Sequence, residues 1–176
     1  MLYAAYGSNL HPVRLTERID SAHPIGTSLV TGWSLKCHKR SKDGSAKFNI
    51  VAGGEGVYVA IFEISADDKK TLDNIEGVGA GYLTASLSIP EFGNCATYVA
   101  EESYIDESLR PYKWYKKLAT LGARAQGFPR RYQKKIDDIR TCEDPDKDRN
   151  AANWRIVEII ESNFRPDAHR SVSYTH

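Results

Sequence analysis

Apolar and polar positions along this chain separate a strand-rich first part from a helical last third. Leu2-Tyr3-Ala4-Ala5-Tyr6 is an apolar and aromatic run that predicts a short buried strand. Pro12 suits a first helical turn, where its missing N–H has no partner to lose, and predicts a helix over 12–19. His23 and Pro24 read as a loop before a strand at 27–30. Trp33, Leu35 and Cys37 alternate with Ser34, Lys36 and His38, the period of two of a half-buried strand. A turn at 42–45 leads to a returning strand at 47–52, and a glycine turn at 53–56 to the β-branched run 57–64, which predicts a central strand. Ser65 caps a short helix, with Asp68 favourable to its positive end and Glu76 delivered at its end. Strands at 82–89 and 94–100 flank a turn at 90–93. Helices follow over 109–125, 130–140 and 151–164, the last carrying Trp154, Val157, Ile160 and Phe164 on one stripe. Strands first and helices later predict an α+β protein, a sheet or barrel with packed helices. The chain reads as one domain over 1–165 followed by a polar tail, 166–176.

Composition narrows the function classes. A length of 176 residues suits one domain able to bury a core without metal or disulfide staples. Twenty-four Lys and Arg against 23 Asp and Glu leave a formal charge of +1, so nothing global directs the protein to nucleic acid or a membrane surface. No apolar run reaches the roughly 18–20 residues of a membrane span, and the N-terminus lacks a basic-then-apolar leader pattern. Cys37, Cys95 and Cys142 form no C-x-x-C pair, which points to a reducing cytoplasm rather than a disulfide framework or zinc site. Neighbours on a strand face opposite ways, so Cys37 and His38 do not make a nucleophile–base pair. His11, His23, His38, His169 and His176 show no metal spacing, and no metal is expected. The basic runs at 36–42 and 130–135 are offset by the acidic stretch 143–148 and read as solvated faces.

Two places carry candidate chemistry. In Tyr6-Gly7-Ser8-Asn9-Leu10, Gly7 supplies positive φ or close backbone approach, and Ser8 and Asn9 are turn and cap residues. A strand, a glycine turn and a helix start aim several backbone N–H groups at one place, a nest for anions or developing oxyanions; the same residues also suit a plain capped turn. Glu76 lies between Ile75 and Gly77-Val78, an apolar setting in which a carboxyl holds its proton more readily than in water. That suits a shuttling acid/base, and equally a structural helix-end glutamate. Gly77, Gly79 and Gly81 follow a helix and open a strand, the reverse of a dinucleotide fingerprint, so they read as a tight loop allowing close approach. One helix face cannot bury or expose all of Tyr112, Trp114 and Tyr115, which read as core helix residues with room for one of them to line a cleft.

The combination of Tyr6-Gly7-Ser8-Asn9-Leu10 after a first strand with Glu76-Gly77-Val78-x-x-Gly81 resembles the γ-glutamylcyclotransferase family. The similarity continues through Tyr115-Lys116-Lys117, Gly122-Ala123, Gly127-x-Pro129 and Tyr132-Gln133, across roughly residues 2–142. The first motif is shared by several branches, including antibiotic-biosynthesis enzymes; the later helical signature favours the branch acting on γ-glutamyl amino acids and peptides. The resemblance implies a γ-glutamylcyclotransferase-like fold, a mixed β-barrel with surrounding helices and a cavity at the Y-G-S-N loop. It implies that Tyr6, Gly7, Ser8, Asn9 and Leu10 line the substrate pocket, that Glu76 is the acid/base, and that Tyr98 and Tyr115 are pocket tyrosines. The chain departs from the family at one point: Tyr82 follows Gly81 immediately, and Leu83 takes the place where the family often shows an aromatic residue.

The activity so implied is release of 5-oxoproline from γ-glutamyl amino acids or peptides by attack of the substrate's own amine, within glutathione metabolism. It calls for a small-molecule γ-glutamyl substrate, no cofactor, and no nucleic-acid or membrane partner; a homodimer is compatible with it. The alternatives are a γ-glutamylamine or γ-glutamyl-acyl-carrier cyclotransferase and, in a different class, a non-catalytic γ-glutamyl ligand-binding domain. A nucleic-acid binder acting through the basic runs is the weaker rival.

Overall fold

Four residues at the start of the chain, Leu2–Ala5 (β1), form the middle strand of the main sheet in the computed structural model, which describes residues 1–163. Among these residues the elements follow as α1 (Pro12–Arg18), β2 (His23–Val30), β3 (Trp33–Arg40), β4 (Ala46–Ala52), β5 (Val57–Glu63), α2 (Ala66–Glu76), β6 (Tyr82–Ile89) and β7 (Gly93–Ala100), then α3 (Lys113–Ala125), α4 (Arg130–Asp137) and α5 (Lys147–Asn163). The expected tail and Phe164 lie outside the described residues.

The main sheet has the order β2-β5-β1-β7-β6. β1 runs antiparallel to β5 and parallel to β7, so the sheet is mixed, and an interior strand buried on both faces explains why Tyr3, Ala4 and Ala5 are all apolar. β3 and β4 form a separate hairpin. It is tied to the sheet by side-chain bonds, Ala100 N donating to Asn49 Oδ1 at 2.8 Å and the Tyr82 hydroxyl to Phe48 O at 2.5 Å. The α+β class is as expected, and the barrel is left open rather than closed by a continuous hydrogen-bond ladder.

Several boundaries differ from the sequence expectation for identifiable reasons. β2 begins at His23, not 27, because it is an edge strand, where Pro24 forfeits no ladder bond; a register shift between Pro24 and Gly26 absorbs the misfit. α1 is capped by His11, whose Nδ1 accepts from Val13 N at 3.2 Å, rather than by Ser8 or Asn9. α3 starts at Lys113 instead of 109, since Pro111 disfavours helical backbone before it. Tyr112 is therefore outside the helix, its hydroxyl donating to Asp43 O at 2.5 Å, and all three of Tyr112, Trp114 and Tyr115 are buried. α4 stops at Asp137, three residues before the expected end. α5 begins at Lys147, four residues before the expected start at 151, because the Asp146 carboxylate accepts from Arg149 N at 2.9 Å and caps a polar first turn.

The Y-G-S-N-L loop is seated on α3. Leu10 is fully buried against Gly122, and Gln126 Nε2 donates to Leu10 O at 2.8 Å. A Cβ at Gly122 would lie 2.4 Å from Leu10 Cβ and 2.9 Å from His11 N. Gly122→Ala should therefore lower stability by about 1–3 kcal/mol through overpacking, read as a lower urea midpoint with an unchanged slope.

Candidate active site

The loop after β1 and the end of α2 meet through one side chain. Asn9 Nδ2 donates to Glu76 Oε1 at 2.9 Å and to the Tyr3 hydroxyl at 3.3 Å, while Asn9 Oδ1 accepts from Arg18 Nη1 at 2.8 Å. Arg18 Nη1 also lies 3.6 Å from Glu76 Oε1. The local sequence explains the placement. Ser65 accepts from Asp68 N at the start of α2, and Gly77, at φ 73°, closes its end with N–H bonds back to the last turn, so the helix stops with Glu76 facing the loop. Gly7 has no positive φ; its place is set by Phe48, whose Cβ would lie 3.2 Å from a Cβ at position 7.

These groups surround a narrow cavity of about 30 Å³. Tyr6, Gly7, Ser8, Asn9, Glu76, Tyr98 and Tyr115 line it, joined by Tyr3, Phe48 and Tyr82, which the sequence reading did not assign. Leu10 is not in the lining; its side chain points away into the contact with Gly122. Tyr82 occupies a cavity wall directly after Gly81, while Leu83 is exposed, so the one-residue departure from the family pattern leaves an aromatic side chain at the cavity. The strand period gave no signal for Tyr3, Tyr82 or Phe48: Tyr3 is an odd three residues from Tyr6, no assigned residue lies on β6 to share a face with Tyr82, and Phe48 comes from the separate hairpin.

The setting of Glu76 corrects the expectation of apolar surroundings. Ile75 and Val78 are exposed, and the carboxylate faces the Asn9 amide and the Arg18 guanidinium. Burial, and in smaller part the negative charge of Glu76, pushes the phenols of Tyr3, Tyr6, Tyr82, Tyr98 and Tyr115 well above their ordinary range. They are neutral and spend their hydroxyls on structure: Tyr6 donates to Tyr98 O at 2.5 Å, Tyr98 to Asp73 Oδ1 at 2.7 Å, and Tyr115 accepts from Phe48 N at 3.0 Å. Glu76 is the carboxylate in the cavity lining. Among the described residues, no hydrogen bond within the protein uses the N–H groups of Gly7, Ser8 or Asn9.

Other candidates fall away or move. Burial lifts the Cys37 thiol to about 12, which leaves no thiolate for nucleophilic work. His38 is held between Glu107 Oε1 at 2.7 Å and Asn49 Nδ2 at 3.0 Å. No three His, Cys, Asp or Glu side chains converge as a metal site among the described residues, and none of their helices is long and apolar enough to cross a membrane. The basic run at 36–42 is not wholly a solvated face: a register shift between Cys37 and Lys39 turns Lys39 inward, where it is buried.

The sheet-and-helix fold thus sets a Y-G-S-N loop against a helix-end glutamate. Residues 56–136, from the glycine before β5 through most of α4, match the AIG2-like family. The chain is 28% identical over 172 residues to the γ-glutamylcyclotransferase of Bos taurus, covering 91% of this chain and 87% of that one. The Homo sapiens protein of the same name is 29% identical over 153 residues, 78% of each chain. A solved structure named gamma-glutamyl cyclotransferase shares the fold, with a TM-score of 0.76 over 90% of this chain and 98% of its own at 24% identity. The chain is thus similar to γ-glutamylcyclotransferases in sequence over most of its length, and shares the fold of one.

The Asn9 bridge yields a test. Asn9→Asp sets a second carboxylate against Glu76, and two carboxylates at that separation resist being ionised together. The urea midpoint of the variant should therefore lie below the parental one at neutral pH, by a margin that shrinks as salt is raised; an unchanged midpoint would show that the two carboxyls are not in contact.

Proposed function

We propose that the protein is a cytoplasmic γ-glutamylcyclotransferase that converts γ-glutamyl amino acids or peptides to 5-oxoproline and a free amine-bearing product, with Glu76 as its acid/base. The observation that carries this reading is the 2.9 Å bond from Asn9 Nδ2 to Glu76 Oε1, which aims a carboxylate into the same cavity as the N–H groups of Gly7–Asn9. The relatives named γ-glutamylcyclotransferase support the reaction, and three free cysteines support a cytoplasmic location.

The reaction is an intramolecular acyl transfer. The substrate's α-amine nitrogen attacks its own γ-carbonyl carbon, a C–N bond closes the five-membered ring, and the original amide C–N bond breaks. The attacking ammonium loses two protons in all and the departing nitrogen gains two, so protons balance and no oxidant, reductant or co-substrate is consumed. Glu76 relays them, first as base and then as acid. Folding the substrate into the tyrosine-walled cavity supplies the proximity that makes the step fast. The loop N–H groups hold the α-carboxylate or the tetrahedral oxyanion, the latter for about 3–4 kcal/mol per well-aimed donor. The tyrosines, neutral and engaged with backbone and Asp73, shape the cavity and do not compete for the proton.

Glu76→Gln keeps an acceptor for Asn9 and removes the proton relay. It should fold with a near-parental urea midpoint and lose at least about a hundredfold in 5-oxoproline release, quantified by chromatography. Undiminished turnover takes Glu76 out of the role. Parental protein that binds γ-glutamyl dipeptides without forming product is a ligand-binding domain instead.

A further inference from the structure

Next to the Glu76 cavity and continuous with it through Ser8, Glu76, Tyr82 and Tyr115 lies a wider recess of about 290 Å³. Four cations line it, Arg14, Arg18, Lys39 and Lys47, and Glu76 is its lining carboxylate. Arg18 is engaged with Asn9 and Glu76, and Lys47 with Asp43 Oδ2 at 2.9 Å. Arg14 and Lys39 differ. Arg14 Nε is buried without a hydrogen-bond partner. Burial, with Arg18 nearby, lowers its guanidinium to about 10. Lys39 is only 6% exposed, yet among the described residues its ammonium makes no ion pair or hydrogen bond. It rests over the ring of Tyr82 at 4.5 Å and, farther off, that of Tyr104 at 5.8 Å.

Holding a cation away from water without a counter-ion is costly. The fold makes room for this one: a Cβ at Gly81 would lie 2.7 Å from both Cε and Nζ of Lys39. A recess with more positive than negative charge, and two cations left over, is short of anions. The Glu76 cavity has room for little more than the reacting end of a substrate, and the adjoining recess is the space beside it.

Resting on the cyclotransferase reading, we propose that Arg14 and Lys39 bind carboxylates of the departing group, so that the enzyme prefers γ-glutamyl dipeptides whose second residue is itself acidic. A departing amino acid carries one carboxylate; an acidic one carries two, matching the two unpaired cations. A departing simple amine carries none and leaves both cations unsatisfied. Arg14 and Lys39 thus set specificity and take no part in the proton relay.

The test compares kcat/KM for γ-glutamyl-glutamate, γ-glutamyl-alanine and γ-glutamyl-ethylamine, with 5-oxoproline as readout. The expected order is that one, with about a tenfold step for each carboxylate, the size of a charge-assisted hydrogen bond. The preference should weaken as salt is raised. Lys39→Met and Arg14→Gln should each bring the ratio between the acidic and neutral dipeptides toward one, mainly through KM. Equal kcat/KM across the three substrates in the parental protein overturns the inference while the activity stands, and does so even if the variants fail to fold. Absence of 5-oxoproline from all three overturns the activity and this inference with it.

Discussion

The amide of Asn9 is the joint on which the site depends. It is the one group of the Y-G-S-N loop that bonds both to Glu76 and to the Tyr3 hydroxyl on the central strand, and its oxygen holds Arg18 on α1. An amide suits this position because it donates and accepts at once; a carboxylate would repel Glu76, and an aliphatic side chain would remove a hydrogen bond from each of Glu76, Tyr3 and Arg18. Because His11 takes over capping of α1, Asn9 is released from the structural duty its residue type usually performs. The loop is in turn clamped from behind by Leu10 against Gly122, so one face of five residues serves packing and the other faces the cavity.

The cavity walls follow the same division. Five buried tyrosines could each in principle exchange a proton, and burial removes that option by keeping all of them neutral. Their hydroxyls are used to tie strands, hairpin and α2 together, which fixes the rings around the space a substrate would fill. Proton transfer is then left to Glu76 in the proposed reaction, and charge recognition to the cations of the neighbouring recess.

Much of this was legible in the sequence where a local rule decides it. The Ser65 cap, the Gly77 stop and therefore the place of Glu76 follow from helix-end chemistry alone. The strands 82–89 and 57–63 follow from their period and β-branching. What was not legible depends on partners distant in the chain. The surroundings of Glu76 were read from Ile75 and Val78, its neighbours in sequence, but both face solvent while Asn9 and Arg18 arrive from α1 and the loop before it. Lys39 looked like one of a solvated basic run until a register shift turned it inward. The early start of α5 was hidden because a polar turn capped by Asp146 leaves no mark on an apolar stripe.

The sheet order carries a consequence for how the protein comes to be folded. β1 is only four residues long, yet it pairs with β5, with Tyr3 opposite Phe62, and with β7, with Tyr3 opposite Ala96. Pairings of such sequence separation bear a loop-closure cost that local hairpins avoid, so the central strand is expected to join after them. The hairpins β3–β4 and β6–β7 and the helix α2 involve only nearby residues and have no such delay. The loop that faces Glu76 hangs from β1, so it reaches its place only when the sheet is complete. A chain still lacking that last strand has its carboxylate and most of its tyrosines but no site, and the finished cavity coincides with the finished fold.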